Sequence, residues 1–311
     1  MTSLISGVFN ILATPFNTER QLDLVSLRRL VDFQIDMGAH GLTILGVLGE
    51  VAKLSVSERN IVVDTVVETV SGRVPIVVGT SHQEISTCIE LSKAAIAAGA
   101  AGVMIAPPRM NEPTDKAVIK FYEEVASHID KPIIVQDLPA VNNITMSPNM
   151  LATLAERISN ARYLKLEDPP IMEKISAIRE RTPKFKIFGG LGGMFFLEEL
   201  KRGASGTMTG FAFTEVLVAV FKAFEDGRLH DAERIFDYYL PLIRYENQSI
   251  INLTIRKEIL YRRGAIANPI LRDPFVPIDA GTREEITWVL RRVGIEDPTM
   301  KLHAEDVTKH N

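Results

Sequence analysis

A single cysteine, Cys88, among 311 residues excludes an intramolecular disulfide framework and suits a reducing cytosol. It falls in an apolar helical pattern with Ile85 and Ile89, which marks a buried structural thiol rather than a nucleophile. No apolar stretch reaches about 18 residues, so no membrane-spanning helix is expected. The opening Met1-Thr2-Ser3-Leu4-Ile5-Ser6 has no basic segment leading into an apolar run, so no signal peptide is expected and the chain is placed in the cytoplasm. There is no long basic run and the net charge is −4, which argues against nucleic acid and membrane partners. No H-x-H, no H-E-x-x-H and no cysteine cluster is present, so nothing supports a metal site.

What is present is a soluble, core-rich composition, 46% hydrophobic and 24% charged. Short apolar runs alternate with longer amphipathic stretches. Strands are expected at Val8–Thr14, Gly41–Val47, Pro75–Gly79, Gly102–Ala106, Pro132–Leu138, Tyr163–Glu167, Lys186–Phe188 and Ser205–Thr209. Helical patterns lie near 26–37, 57–71, 84–98, 115–129, 148–158, 171–181, 194–202 and 214–225. Eight strands, each followed by a helix, make an α/β chain whose count is that of a closed (β/α)8 TIM barrel, a fold of about 250 residues. The runs are continuous in Val, Ile, Leu, Met and Ala, as strands buried on both faces require. An open doubly wound sheet is the weaker reading, because no G-x-G-x-x-G follows the first strand.

Gly38, Gly99 and Gly203 each close a helix shortly before a strand, the spacing of tight helix-to-strand turns. Past residue 226 the rhythm changes. Asp231–Tyr245, Gln248–Arg263 and Arg283–Val293 read as amphipathic helices with no strand between them. The division is therefore a barrel over 1–228 and a C-terminal helical appendage over 229–311, packed on the barrel. The polar tail after Asp297 is expected to be mobile.

Function in a barrel sits at the carboxyl ends of the strands. There the sixth strand carries Tyr163-Leu164-Lys165-Leu166-Glu167-Asp168. Alternation puts Tyr163, Lys165 and Glu167 on one face and the two leucines on the other. If the leucines pack on the helices, Lys165 points into the barrel mouth. Burial there disfavours an ammonium and supplies the neutral amine that attacks a ketone. The alternative is a strand-end lysine that reaches solvent or pairs with Glu167 or Asp168. At the exit of the second strand, Gly46-Val47-Leu48-Gly49-Glu50 brings two glycines close together. The backbone can then approach a ligand and present amides to an anion, or the loop is a plain tight turn with Glu50 serving structure.

Together these pieces resemble the dihydrodipicolinate synthase/N-acetylneuraminate lyase family over nearly the whole chain. The resemblance runs through Gly7-Val8-Phe9 with Thr14-Pro15-Phe16, the G-x-x-G-E loop at 46–50 with Leu54-Ser55 and Glu58-Arg59, Pro75-Ile76-Val77-Val78-Gly79, Pro108 and Pro113, Pro132 and Pro139, and the strand-six lysine. It implies that Lys165 forms an imine with a 2-oxo acid such as pyruvate and that the backbone at Val47 and Leu48 holds the carboxylate. It also implies a homo-oligomer, dimer or tetramer, and no cofactor, since the imine itself is the electron sink. Four departures oppose true synthase activity. Val47 and Leu48 replace the loop hydroxyls, Gln136 stands where the family has its proton-transfer tyrosine, Arg109 and Met110 replace a tyrosine pair, and Val141 replaces an arginine. Gln136 does not titrate, so it can only orient a neighbour by hydrogen bonding.

Glu167, two residues beyond Lys165, either shuttles the proton of the imine's neighbouring carbon or forms an ion pair with the lysine. Arg109 either clamps a substrate carboxylate or meets solvent or a second subunit. Met208 on the eighth strand is a further candidate substrate contact. His82 is favoured as a helix cap and His40 as structural, and parity from Gln136 turns Asp137 away from the central face. Glu50, Asp137 and Glu167 form no recognisable metal set. The turn Gly189-Gly190-Leu191-Gly192-Gly193 could cradle an anion, but it reads better as a closing loop. The leading expectation is a Schiff-base lyase, aldolase or dehydratase acting on a 2-oxo acid and its aldehyde adducts. The alternative is a silent binding or regulatory protein on the same barrel, motivated by the missing hydroxyls.

Overall fold

The computed structural model describes residues 5–309, so the opening Met1-Thr2-Ser3-Leu4 and the last two residues lie outside the described residues. Among those described, eight strands close into one parallel barrel in sequence order. They are β1 (Gly7–Ile11), β2 (Gly41–Ile44), β3 (Ile76–Gly79), β4 (Gly102–Ile105), β5 (Ile133–Asp137), β6 (Tyr163–Leu166), β7 (Lys186–Gly189) and β8 (Gly206–Thr209). The helices are α1 (Leu24–Asp36), α2 (Val56–Val70), α3 (Ile85–Ala98), α4 (Asp115–Ala126), the single turn α5 (Pro139–Asn142), α6 (Pro148–Arg157), α7 (Ile171–Arg181), α8 (Phe196–Lys201) and α9 (Thr214–Glu225). Beyond them come α10 (Leu229–Glu246), α11 (Asn252–Arg262) and α12 (Ala280–Arg292). The barrel expected from strand count and apolar continuity is the one observed.

Strand alternation sorts the core into two parts. Leu164 and Leu166 face outward into the large core between barrel and helices. Tyr163 faces inward, in a layer with Phe9, Val77, Met104, Ile134, Phe188 and Met208 that fills the barrel interior. Above this apolar floor the register sets Gln136 of β5 beside Lys165 of β6, and Lys165 beside Phe188 of β7. The inward parity of Tyr163 therefore carries Lys165 and Glu167 to the mouth.

The C-terminal helices differ from expectation in one respect. The stretch containing α11 reads as amphipathic, yet Thr254 through Leu260 are all buried. The reason is charge pairing. Lys257 reaches Glu50 at the β2 exit at 2.6 Å, and Arg256 reaches Glu246 at 2.6 Å. Just past the helix, Arg263 meets Glu215 at 2.6 Å. A charge that finds a partner can be buried, so the polar face of α11 lies against the barrel instead of water.

The tail is also a correction. Its described residues are docked on the rest of the protein. Residues Ala304–Thr308 form a short 3-10 helix with Ala304 buried, Arg234 of α10 donates to the carbonyl of Val307 at 2.9 Å, and Leu302 packs on the core.

Candidate active site

The carboxyl ends of the strands converge on a cavity of about 340 Å³ lined by Leu45, Val47, Met104, Gln136, Leu138 and Leu253, among others. Leu253 comes from α11, so the appendage forms part of the wall. Gln136 donates through Nε2 to Glu167 Oε2 at 3.0 Å. The same oxygen lies 2.9 Å from Lys165 Nζ. Lys165 is 4% exposed at the side chain and Glu167 11%, so the pair is nearly dry. An amine, a carboxylate and an amide thus form one chain running from barrel interior to cavity. Among the described residues no hydroxyl is hydrogen-bonded to it.

The loop after β2 begins with Leu45 at φ 56°, which turns the backbone sharply out of the strand. A side chain at Gly79 would overlap the Leu45 carbonyl, so β3 needs a glycine there to admit this turn. Val47–Gly49 then form a 3-10 turn with Gly46 at its head. As the first two residues of that turn, Val47 and Leu48 carry amides that the turn leaves unbonded, a disposition suited to a carboxylate. The Val47 side chain is 53% exposed into the mouth and Leu48 is half-buried. Glu50 takes no part, because Lys53, Lys257 and the Arg272 amide occupy its carboxylate at 2.9, 2.6 and 3.0 Å.

The remaining candidates separate. Arg109 is exposed and donates through Nε and Nη2 to the Val141 carbonyl at 3.1 and 2.9 Å, which ties the β4 loop to α5. Met208 is fully buried in the interior layer below Lys165 and does not line the cavity. Met110 packs on the outer core. His82 Nδ1 accepts from the Glu84 amide at 3.0 Å, at the head of α3. His40 Nδ1 accepts from the Val8 amide at 3.2 Å at the opposite end of the barrel, and burial pushes its pKa down.

Asp137 faces outward, as its parity relative to Gln136 requires. Lys174 of α7 bridges it to Asp168, at 2.5 and 2.6 Å. Burial outweighs the lysine and lifts the Asp137 pKa to about 6. Among the described residues no group of three or more His, Cys, Asp or Glu is placed to hold a metal ion.

Sequence reasoning missed two groups here. Lys174 looks like a solvent-facing helix residue, but it is 8% exposed between two aspartates. Glu199 of α8 is fully buried and presses on Gly189, and neither carboxyl oxygen has a hydrogen-bond partner among the described residues. The only cue to it was the Gly189-Gly190 pair, which leaves unfilled space on both sides of β7.

Residues 4–293 match the family model described as the dihydrodipicolinate synthetase family. The chain belongs to the dihydrodipicolinate synthase family. An L-2-keto-3-deoxyarabonate dehydratase of Azospirillum brasilense is 34% identical, covering 92% of this chain and 94% of that protein. A 4-hydroxy-tetrahydrodipicolinate synthase of Thermosipho africanus is 28% identical over 94% of this chain and all of its own length (100%). Among solved structures, a dihydrodipicolinate synthase from Rhodopseudomonas palustris superposes with a TM-score of 0.88 at 33% identity, covering 94% and 98% of the two chains. The protein is an enzyme of this family's class I lyase and aldolase type, and a divergent member rather than a true synthase.

Proposed function

We propose that the chain is a Schiff-base dehydratase acting on a 3-deoxy-2-oxo acid that carries a hydroxyl on the fourth carbon. The observation that carries this reading is the Lys165–Glu167–Gln136 chain at the mouth, where a carboxylate stands beside the amine and no hydroxyl relay accompanies it. The neutral amine of Lys165 attacks the ketone carbon, and loss of water leaves an imine. The Glu167 carboxylate takes a proton from the third carbon, giving an enamine. The enamine electrons expel the hydroxyl from the fourth carbon, and Glu167 returns its proton to that hydroxyl, so water departs and leaves a conjugated imine. Where the fifth carbon also carries a hydroxyl, a proton moves from that carbon to the third and the resulting enol becomes the aldehyde. Water then hydrolyses the imine to release the 2-oxo semialdehyde and the free Lys165 amine. Gln136 holds Glu167 in line but carries no proton. The Val47 and Leu48 amides receive the substrate carboxylate.

The printed activity of the Azospirillum relative supports dehydration over condensation. The apolar lining from Leu45, Leu138, Val141 and Leu253 favours a short tail over a long polyhydroxylated one. The imine serves as electron sink, so the proposal calls for no cofactor. Arg109 serves the β4 loop and Met208 the core beneath the site. A homo-oligomer, dimer or tetramer, in the cytoplasm completes the reading, supported by the family and by the buried thiol of Cys88.

Pyruvate with sodium borohydride, read by intact mass, tests the nucleophile. One reduced adduct is expected on the wild type and none on Lys165→Ala. A wild type without adduct refutes the imine. Turnover of 3-deoxy-2-oxo acids to the corresponding semialdehydes tests the reaction, and cleavage to pyruvate instead refutes dehydration.

A further inference from the structure

The Gly189-Gly190 peptide at the end of β7 has a carboxyl lodged on each side. A Cβ built on Gly190 would stand 2.7 Å from Glu167 Oε1 and 2.7 Å from its Cγ. A Cβ built on Gly189 would stand 2.5 Å from Glu199 Oε1, with the rest of that carboxyl closer still. The two acids therefore occupy the places of two absent side chains on neighbouring residues. Glu167 looks into the barrel and Glu199 comes from the helical layer behind it. Glu199 is fully buried, and neither of its oxygens is hydrogen-bonded among the described residues. A buried carboxylate with no partner is too costly to persist, so the group is held as the neutral acid.

We infer that Glu199 is a positioning residue for the reaction centre: a neutral carboxyl behind the Gly189-Gly190 peptide that limits the centre to the single negative charge of Glu167 and sets the alkaline edge of its working range. The inference rests on the imine chemistry proposed above. Among the described residues, Glu167 is the one carboxyl paired with Lys165. When Glu199 ionises, a second negative charge arises behind the Gly189-Gly190 peptide, across the strand from Glu167, and strengthens the hold of the two carboxylates on the Lys165 nitrogen. Among the described residues, no hydrogen bond or ion pair offsets this charge. Glu198 on the same helix is exposed and negative. Arg179 of α7 is engaged by the Phe185 and Gly203 carbonyls, both at 2.6 Å, and Arg202 by Ser176 at 2.5 Å. Lys201 reaches Glu233 of α10 at 3.5 Å, and α9 meets α8 through Phe221 stacked on Phe196. Burial first, then the charges of Glu167 and Glu198, push the Glu199 pKa up to about 8, which places the edge near that pH.

The experiment measures the rate of borohydride-trapped imine formation with pyruvate against pH, in wild type and Glu199→Gln, alongside infrared titration of the buried carboxyl band. Wild type is expected to stop gaining rate above about pH 8. Glu199→Gln, which keeps shape but cannot ionise, is expected to keep rising and to exceed wild type about tenfold one to two pH units higher, the effect of one unit of proton affinity. The carboxyl band should vanish in Glu199→Gln and titrate at lower pH in Glu167→Gln, which lacks the neighbouring charge. Superposable pH profiles of wild type and Glu199→Gln overturn the inference. If no adduct forms at all, the imine reading has failed, and the infrared arm still decides the coupling. A band indifferent to Glu167→Gln overturns it.

Discussion

Gly190→Ala tests whether the placement of Glu167 governs the chemistry. The added methyl would stand 2.7 Å from both Cγ and Oε1 of Glu167 and 2.9 Å from its Cδ. Ordinary carbon contacts begin near about 3.5 Å, so the side chain must retreat by nearly an ångström. That retreat stretches the 2.9 Å contact to Lys165 and the 3.0 Å bond from Gln136 beyond useful geometry. Misplacing a reacting group by about 1 Å costs on the order of 100-fold in rate, whereas overpacking costs about 1–3 kcal/mol of stability. The variant should therefore fold, with a modest loss in urea denaturation, and lose about two orders of magnitude in kcat. It should still form the borohydride-trapped adduct, because Lys165 itself does not move. Shortening the acid relieves the overlap, so Gly190→Ala with Glu167→Asp should be less impaired than the product of the two single effects. A Gly190→Ala enzyme with wild-type kcat would show that Glu167 is not the acid–base group.

Glu167→Gln should lower turnover by about 10²–10⁴-fold while slow imine trapping persists, since the amide cannot carry a proton. Arg263→Met strands Glu215 without its 2.6 Å partner and should destabilise the fold by about 3–5 kcal/mol in chemical denaturation. Stability should also fall as pH rises, through Glu199. The unfolded chain releases this proton from about pH 4.5, while the folded chain keeps it until about 8. The contribution is thus whole below pH 4.5 and lost by pH 8, on the order of 4 kcal/mol. Thermal melts of Glu199→Gln should lack that slope, and parallel melts of the two proteins across this window would contradict the assignment.

Strand order and the direction of Lys165 were legible because both rest on short-range rules. Continuous apolar runs mark doubly buried strands, and the leucines at 164 and 166 fix the parity of everything between them. The roles of Lys174, Glu199 and the charges of α11 were not legible, for one shared reason. Each is a charged residue on a helix, where sequence pattern assigns the polar face to water. What buries it is a partner or a gap on another element: Asp137 of β5 for Lys174, the space left by Gly189 of β7 for Glu199, and Glu50, 207 positions away, for Lys257. Periodicity within one helix carries no information about pairs between elements. The docked tail escaped notice in the same way, because its anchors are the carbonyls of Val307 and Thr308 and a few scattered apolar residues, Leu302, Ala304 and Val307, rather than a regular apolar stripe.

In the proposed mechanism, the use of Gln136 and Glu167 without a hydroxyl relay has an electrostatic logic tied to the dry floor beneath them. Phe9, Phe188, Tyr163 and Met208 make that floor apolar, so any step that creates net charge above it is penalised. In the proposed sequence, once the imine has formed, its protonated nitrogen carries the positive charge and Glu167 the negative one. Proton abstraction converts this pair into neutral enamine and neutral acid, and return of the proton to the departing hydroxyl restores it. The net charge never changes. Two ionised carboxylates would break that balance, which is why the acid behind Gly189 has to stay protonated while the one behind Gly190 cycles. A tyrosine at 136 would add a second proton carrier to a site whose single acid already serves both transfers. Gln136→Tyr should accordingly leave the trapped imine intact and yield no gain in dehydration rate, and a faster dehydratase would show that proton transfer, not charge balance, limits this site.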